Sequence, residues 1–226
     1  MATTVEAKTP PLVAGDVMTA DEFLRRWEAM PERMFAELLG GTVHMPSPLR
    51  SDHAEMDGEI GSWLSEYRRG TPGLKLGHNA TVRLSDADVP QPDIYLRVLP
   101  EWGGATQPQG RFIAGAPEFL VEVCLTSRSR DLGGKLDAYQ EAGVREYLVV
   151  LIDEREIRWH VLEAGEYQPL MPDADGLHRS RVFPGLWLDG AALLDGDTNR
   201  VSEVLQQGLA TPEHAHFVVE LKKRQR

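Results

Sequence analysis

From Thr19 onward the apolar residues fall at helical spacing. Phe23, Trp27 and Met30 recur on one face, Thr19 and Glu22 have the T-x-x-E spacing of a capping box, and Pro31 closes the segment. Two short apolar stretches follow, FAELL and TVHM, separated by Gly40-Gly41, which is the composition of a β-hairpin. A second amphipathic helix is predicted from Ser51 to Arg69, with Met56, Ile60, Trp63, Leu64 and Tyr67 as its buried stripe. Beyond Gly70 the rhythm changes to strands: ATVRL at 80–84, DIYLRV at 93–98 and EFLVEVCL at 118–125. DLGGKLDAYQEAGV turns helical again, with Leu132, Leu136 and Tyr139 in phase and Gly143 placed just past the end. REYLVVLI is a near-continuous apolar run, the kind covered on both faces of a sheet. IRWHVL and EYQPL form a second hairpin that turns at Gly165, and the region from LWLDGAALL onward reads as helical.

This order, helix, hairpin, helix, strands, then strand–helix–strand, predicts an α/β fold with a mixed sheet flanked by helices. The strand–helix–strand at 118–152 is a right-handed crossover by expectation, which makes its two strands parallel. Residues 1–18, rich in Thr, Ala and Pro without periodicity, are expected to form a flexible arm. One domain is expected over 19–194, followed by a helical extension at 195–226.

Composition narrows the class. With 42% hydrophobic and 26% charged residues the chain is ordinary for a globular protein, and no apolar run approaches the length of a membrane span. The single cysteine, Cys124, cannot form an internal disulfide, which fits a reducing compartment and a cytoplasmic location. The formal charge of −11 disfavours tight, nonspecific binding to a polyanion, although a local patch can carry the opposite sign. Arg68, Arg69, Lys75, Arg111, Arg128 and Arg130 are candidate basic positions, with Lys222, Lys223, Arg224 and Arg226 in the tail.

Four residues do not fit a purely structural pattern. Glu122 lies in FLVEVCL, a strand composition that belongs at the centre of a sheet, where a carboxylate is costly unless paired or metal-bound. Asp93 follows Pro92 and opens the next strand, sharing a face with Tyr95 and Arg97. Lys135 flanks the buried side of the helix that follows the Glu122 strand, just after Gly133-Gly134. Glu37 sits in FAELL before the glycine turn. Each has a plain alternative: an edge strand facing water, a turn residue, a snorkelling lysine, an exposed strand position. His53, in phase with Met56 and Ile60, reads as a satisfied, partly buried histidine. Three acids and a lysine at strand ends and helix flanks suit a hard divalent cation. Zinc-type Cys/His spacing, a phosphate-binding G-x-x-x-x-G-K-[ST] loop and a G-x-S-x-G elbow are all missing from the sequence. Clustered carboxylates repel without a cation, so Glu122→Gln is expected to raise the melting temperature of metal-free protein.

The series P-D (92–93), V-E-V (121–123), D-x-x-x-K (131–135) and Y-x-x-x-G-V-x-E-Y (139–147) resembles the PD-(D/E)XK nuclease superfamily, and within it the Uma-type restriction endonucleases. E-L-L-G-G-T-V at 37–43, M-P-S-P at 45–48 with His53 following, and F-P-G-L at 183–186 support the match, which spans roughly 19–194. The resemblance implies a restriction-endonuclease-like fold and Mg²⁺-dependent hydrolysis of phosphodiester bonds in nucleic acid, DNA foremost, with Mn²⁺ substituting. It further implies that Asp93, Glu122 and the Val123 carbonyl hold the metal, that Lys135 is the catalytic lysine, and that Glu37 is an additional acidic site residue. A homodimer without membrane association is expected. The sequence departs from the usual E-x-K at Cys124, where the lysine would stand, and has Leu125-Thr126-Ser127 where the family tends to carry Ser-Pro. A non-catalytic binding module on the same fold, or a hydrolase of a small phosphodiester, are the alternatives.

Overall fold

The computed structural model describes residues 9–31, 35–45, 50–125 and 133–225. Pro46, Ser47 and Pro48 of the M-P-S-P stretch, Thr126 and Ser127, Arg128 and Arg130, Asp131, Leu132 and Arg226 lie outside them. In chain order the elements are α1 (Ala20–Glu28), the hairpin β1 (Glu37–Leu39) and β2 (Thr42–His44), α2 (Ser51–Gly70), β3 (Leu74–His78), β4 (Val82–Arg83), β5 (Ile94–Val98), β6 (Gln107–Gln109), β7 (Phe112–Ala114) and β8 (Phe119–Cys124). There follow α3 (Gly134–Ala142), β9 (Glu146–Leu151), β10 (Glu156–Glu163), β11 (Glu166–Pro169), β12 (Leu177–Arg179), β13 (Trp187–Asp189), α4 (Gly190–Asp195), α5 (Thr198–Leu209) and α6 (Pro212–Arg224).

The main sheet runs β11-β10-β9-β8-β5-β3. Only β8 and β9 within it are parallel, joined through α3, so the sheet is mixed. Alternation along β8 divides its side chains between two apolar layers. Phe119, Val121 and Val123 pack with Ile60, Trp63 and Leu64 of α2, whereas Leu120 and Cys124 pack with Tyr139 of α3 and Tyr147 of β9. Trp159 anchors the first layer, edge-on to Phe119 at 5.4 Å and to Trp63 at 6.2 Å.

The N-terminal hairpin turns through Gly40 (φ 55°) and Gly41 (φ 74°), two successive left-handed residues of the kind a two-residue hairpin turn requires. Residues 12–18 are docked on this hairpin. Leu12 is buried, Val17 bridges Thr42, and the Gly15 and Met18 amides donate to the Val43 and Gly41 carbonyls. The flexible arm expected over residues 1–18 therefore does not extend over this stretch. Its backbone groups are satisfied by β2, and Leu12 joins Phe23, Leu38, Val43 and Val89 in a separate apolar cluster.

Three further expectations change. ATVRL contributes only Val82–Arg83, in a small sheet ordered β4-β7-β6. The edge strand β3 takes its place beside β5, and its LKLGH sequence has too little apolar alternation to announce it. Gly77 is required there because the Tyr95 ring lies over it, so that a Cβ would come within 2.2 Å of the ring. Trp187–Asp189 is a strand paired with β12, ahead of α4. The 195–226 extension is helical and part of the same core, since Val201, Leu205 and Leu221 are buried in the layer beneath α2. Among the described residues no helix is long and apolar enough to cross a membrane.

Leu205→Ala is expected to lower the unfolding free energy by about 2–5 kcal/mol in urea denaturation. The half-exposed Val219 of α6 tolerates alanine within about 0.5 kcal/mol. A negligible loss at Leu205 would contradict an extension that shares the core.

Candidate active site

Among the described residues, four buried or half-buried carboxylates touch the central strands, and their partners sort them by role. Glu118 accepts the Val98 amide at 2.8 Å and the Ala105 amide at 3.4 Å. Glu146 accepts the Ser180 hydroxyl at 2.7 Å and the Arg181 and Val182 amides at 2.6 and 3.1 Å. Both anchor loops, and burial raises the Glu146 pKa against the pull of those donors. Glu122 and Asp93 differ, because side chains of flanking helices meet them.

Glu122 is 2% exposed and Lys135 3%. Lys135 and Tyr139 lie one turn apart on α3, and both reach Glu122 Oε1, the Lys135 ammonium at 3.0 Å and the Tyr139 hydroxyl at 2.7 Å. Burial first, then the charge of Glu122, pushes the Tyr139 pKa well above its ordinary value, so this phenol stays a donor. Glu37 Oε1 lies 3.0 Å from the same Lys135 Nζ and accepts the Gln91 amide at 2.6 Å. The Gln91 side chain in turn donates to Thr81 Oγ1 at 2.7 Å. Glu37, Glu122 and Lys135 thus come together from β1, β8 and α3.

Asp93 stands just ahead of β5. The β5–β8 register, with Ile94 opposite Val121, sets Asp93 opposite Glu122 when continued by one residue. The Asp93 carboxylate takes the Val123 amide at 2.7 Å, a group that a longer β5 would have bonded through its backbone. Because N–H and C=O of one strand residue point to the same side, the Val123 carbonyl faces Asp93 as well. From α2, His53 Nε2 approaches Asp93 Oδ2 to 3.4 Å. Hydrogen bonding to Asp93 raises the His53 pKa; burial opposes it, and the Asp93 and Asp57 charges and the Val123 backbone add to it. Asp57, one turn further along α2, lies 3.5 Å from His78 Nδ1, and burial raises its carboxyl pKa.

The two central acids are turned to opposite helices, Glu122 to α3 and Asp93 to α2. Among the described residues no group of three or more His, Cys, Asp or Glu side chains is placed to hold a metal ion. The donor chemistry at the ends of β5 and β8 nevertheless suits a hard divalent cation, with the Asp93 carboxylate, the Val123 carbonyl on the same side and Glu122 next along the strand.

Sequence reasoning passed over three participants. His53 is not satisfied as expected: it is 7% exposed, yet its Nδ1 is buried without a hydrogen-bond partner. Tyr139 was visible only as an apolar position in phase with its helix, and Asp57 not at all. Their i, i+4 relations, Lys135–Tyr139 and His53–Asp57, are the signal that could have found them.

The pairing overturns one expectation. Glu122 is bound by Lys135 and Tyr139 rather than left among repelling acids, so breaking that pairing is expected to cost stability. Glu122→Gln is expected to lower the unfolding free energy in metal-free buffer by about 1.5–3 kcal/mol, measured by chemical denaturation. A gain in stability would show that repulsion dominates after all.

Sequence and overall fold, compared with known proteins, place the chain in a family. No curated protein matches the chain. A crystal structure of "a putative nuclease belonging to DUF820" from Anabaena variabilis ATCC 29413 superposes with a TM-score of 0.57 at 18% identity, covering 78% of this chain and 99% of that one. The likeness establishes the restriction-endonuclease-like fold, a mixed sheet flanked by helices. The sequence model of the Uma2 family, described as "Putative restriction endonuclease", matches residues 20–191, and the chain belongs to that family.

Proposed function

We propose that this protein is a metal-dependent endonuclease that hydrolyses phosphodiester bonds in nucleic acid, DNA foremost. The observation that carries the reading is the buried Lys135 ammonium, held 3.0 Å from both Glu122 and Glu37, with the amide of the residue after Glu122 bound by Asp93. A lysine kept at 3% exposure between two acids, on the helix that follows a central strand, has little structural purpose that an apolar residue would not serve.

In this reading Asp93, Glu122 and the Val123 carbonyl hold Mg²⁺, with Mn²⁺ able to replace it. When bound, the ion supplies a polarised water and neutralises charge on the phosphate. Lys135 presents its ammonium to the attacking water and to the phosphate oxygens, stabilising charge that grows in the transition state. Glu37 and Tyr139 fix where that ammonium and Glu122 stand, so little reorganisation is needed when substrate arrives. Gln91 ties Glu37 to the loop before Asp93, which links the two halves of the site through one backbone amide.

A second reading is favoured by the net charge of −11, which leaves few cations for a long polyanion. It makes the substrate a small phosphodiester at the same site. A panel of plasmid, single-stranded DNA, RNA and dinucleotide substrates separates the two.

With Mg²⁺ or Mn²⁺ the purified protein is expected to cleave DNA, and Lys135→Ala to lose about a hundredfold or more in rate while still binding Mn²⁺ in calorimetry. Asp93→Ala is expected to lose the metal itself. Because few phosphate contacts are available, the fall of cleavage with rising salt is expected to be shallow. Full activity in Lys135→Ala would remove the lysine from the chemistry.

A further inference from the structure

His53 occupies an unusual position for a buried histidine. A ring retained for packing is ordinarily hydrogen-bonded at both nitrogens, because an orphaned buried polar atom costs about 1–3 kcal/mol. His53 is 7% exposed, and its Nδ1 has no partner. Its Nε2 lies 3.4 Å from Asp93 Oδ2, longer than the usual N–H···O hydrogen bond, and the Val123 backbone lies beside the same ring. The ring therefore converges on two protein groups, the Asp93 carboxylate and the Val123 carbonyl, that the proposed function assigns to the metal. Two neighbouring donors on one octahedral ion, each a little over 2 Å from it, stand about 3 Å apart, so the observed spacing needs only a few tenths of an ångström to become a shared coordination edge.

Behind the ring, Asp57 lies one turn further along the same face of α2. Its Oδ1 is likewise buried without a hydrogen-bond partner. A single water between Nδ1 and that oxygen would satisfy both orphans and hold the proton on Nδ1, leaving the Nε2 lone pair available. A carboxylate behind a histidine is the usual support of a metal-bound imidazole.

We propose that His53 Nε2 is a direct ligand of the metal, completing a nitrogen-containing set with Asp93 and the Val123 carbonyl, and that Asp57 orients the ring as a positioning residue. This rests on the metal-dependent reading above and extends it. A nitrogen donor changes the selectivity of the site: imidazole suits first-row transition ions better than Mg²⁺, so the site prefers Mn²⁺. Glu122, held on α3 by Lys135 and Tyr139, is then the acid that faces the chemistry of the lysine more than the first capture of the ion.

The test uses the full chain loaded with one equivalent of Mn²⁺ and needs no turnover. Electron spin-echo envelope modulation of the bound ion is expected to show coupling to a ¹⁴N nucleus, replaced by a ¹⁵N pattern when the protein is grown with ¹⁵N-labelled histidine. His53→Gln removes the coupling and weakens Mn²⁺ relative to Mg²⁺ by about tenfold or more, whereas His78→Gln leaves it in place. Asp57→Asn keeps the nitrogen coupling and weakens Mn²⁺ binding by about tenfold. Mn²⁺ bound stoichiometrically to wild type without nitrogen coupling overturns the ligand role and leaves the metal-dependent reading standing. Coupling that survives in His53→Gln assigns the nitrogen elsewhere and overturns it too. Failure of wild type to bind Mn²⁺ at all removes both. Should His53→Gln fail to fold, His53→Asn takes its place, and coupling that survives in it overturns the ligand role.

Discussion

A lysine buried between two carboxylates from different parts of the chain is the constraint around which the rest of the molecule is arranged. Lys135 Nζ stands 3.0 Å from Glu37 on the N-terminal hairpin and 3.0 Å from Glu122 on the central strand. Removing Lys135 would leave two carboxylates without their cation in a region that excludes water, which is more costly than never having buried them. The apolar clusters explain why three separate elements must meet there. The hairpin and α1 form one cluster around Phe23 and Leu38, the α3 side of the sheet forms another around Tyr139 and Tyr147, and α2 with the C-terminal helices fills the third. The polar cluster joins the first of these to the second. The Gln91 amide, bound to Glu37, carries the link on to the loop that ends at Asp93.

Much of this was legible in the chain, for physical reasons that differ by residue. Glu122 stood out because its neighbours in FLVEVCL dictate a strand covered on both faces, where a carboxylate must find a partner. The α3 crossover followed from the change of period between two apolar strands, and β8 and β9 are parallel neighbours. The hairpin was written in Gly40-Gly41. What escaped was whatever depends on long-range contact. Leu12 has no local periodicity, and its burial exists only because β2 offers a free edge to residues 12–18. Val201 and Leu205 fall in a region that reads only as helical, and nothing local says that the helix lies against α2. His53 sits in phase with Met56 and Ile60 whether it serves packing or chemistry. The orphaned Nδ1 that separates the two appears only once the surroundings are in place.

The acidity of the chain is partly explained by this organisation. Glu118 and Glu146 serve as loop anchors, Glu22 is bound by Arg25 and Arg26, and Asp173 and Asp175 hold Arg179 against Trp187. Those carboxylates are engaged in structure, so the formal charge overstates the negative field around Glu122 and Asp93. The site itself carries three acids and two basic side chains within the reach of two strand ends, a balance that a divalent cation would shift toward positive.

The central claim, that the acids at the ends of β5 and β8 form a metal site served by Lys135, is tested most directly by anomalous diffraction from crystals grown in Mn²⁺. A single strong peak is expected within bonding distance of the Asp93 carboxylate and the Val123 carbonyl, on the side of the sheet end that Lys135 can reach. Crystals in saturating Mn²⁺ with no peak there, and with Asp93 still seated on the Val123 amide, would contradict it.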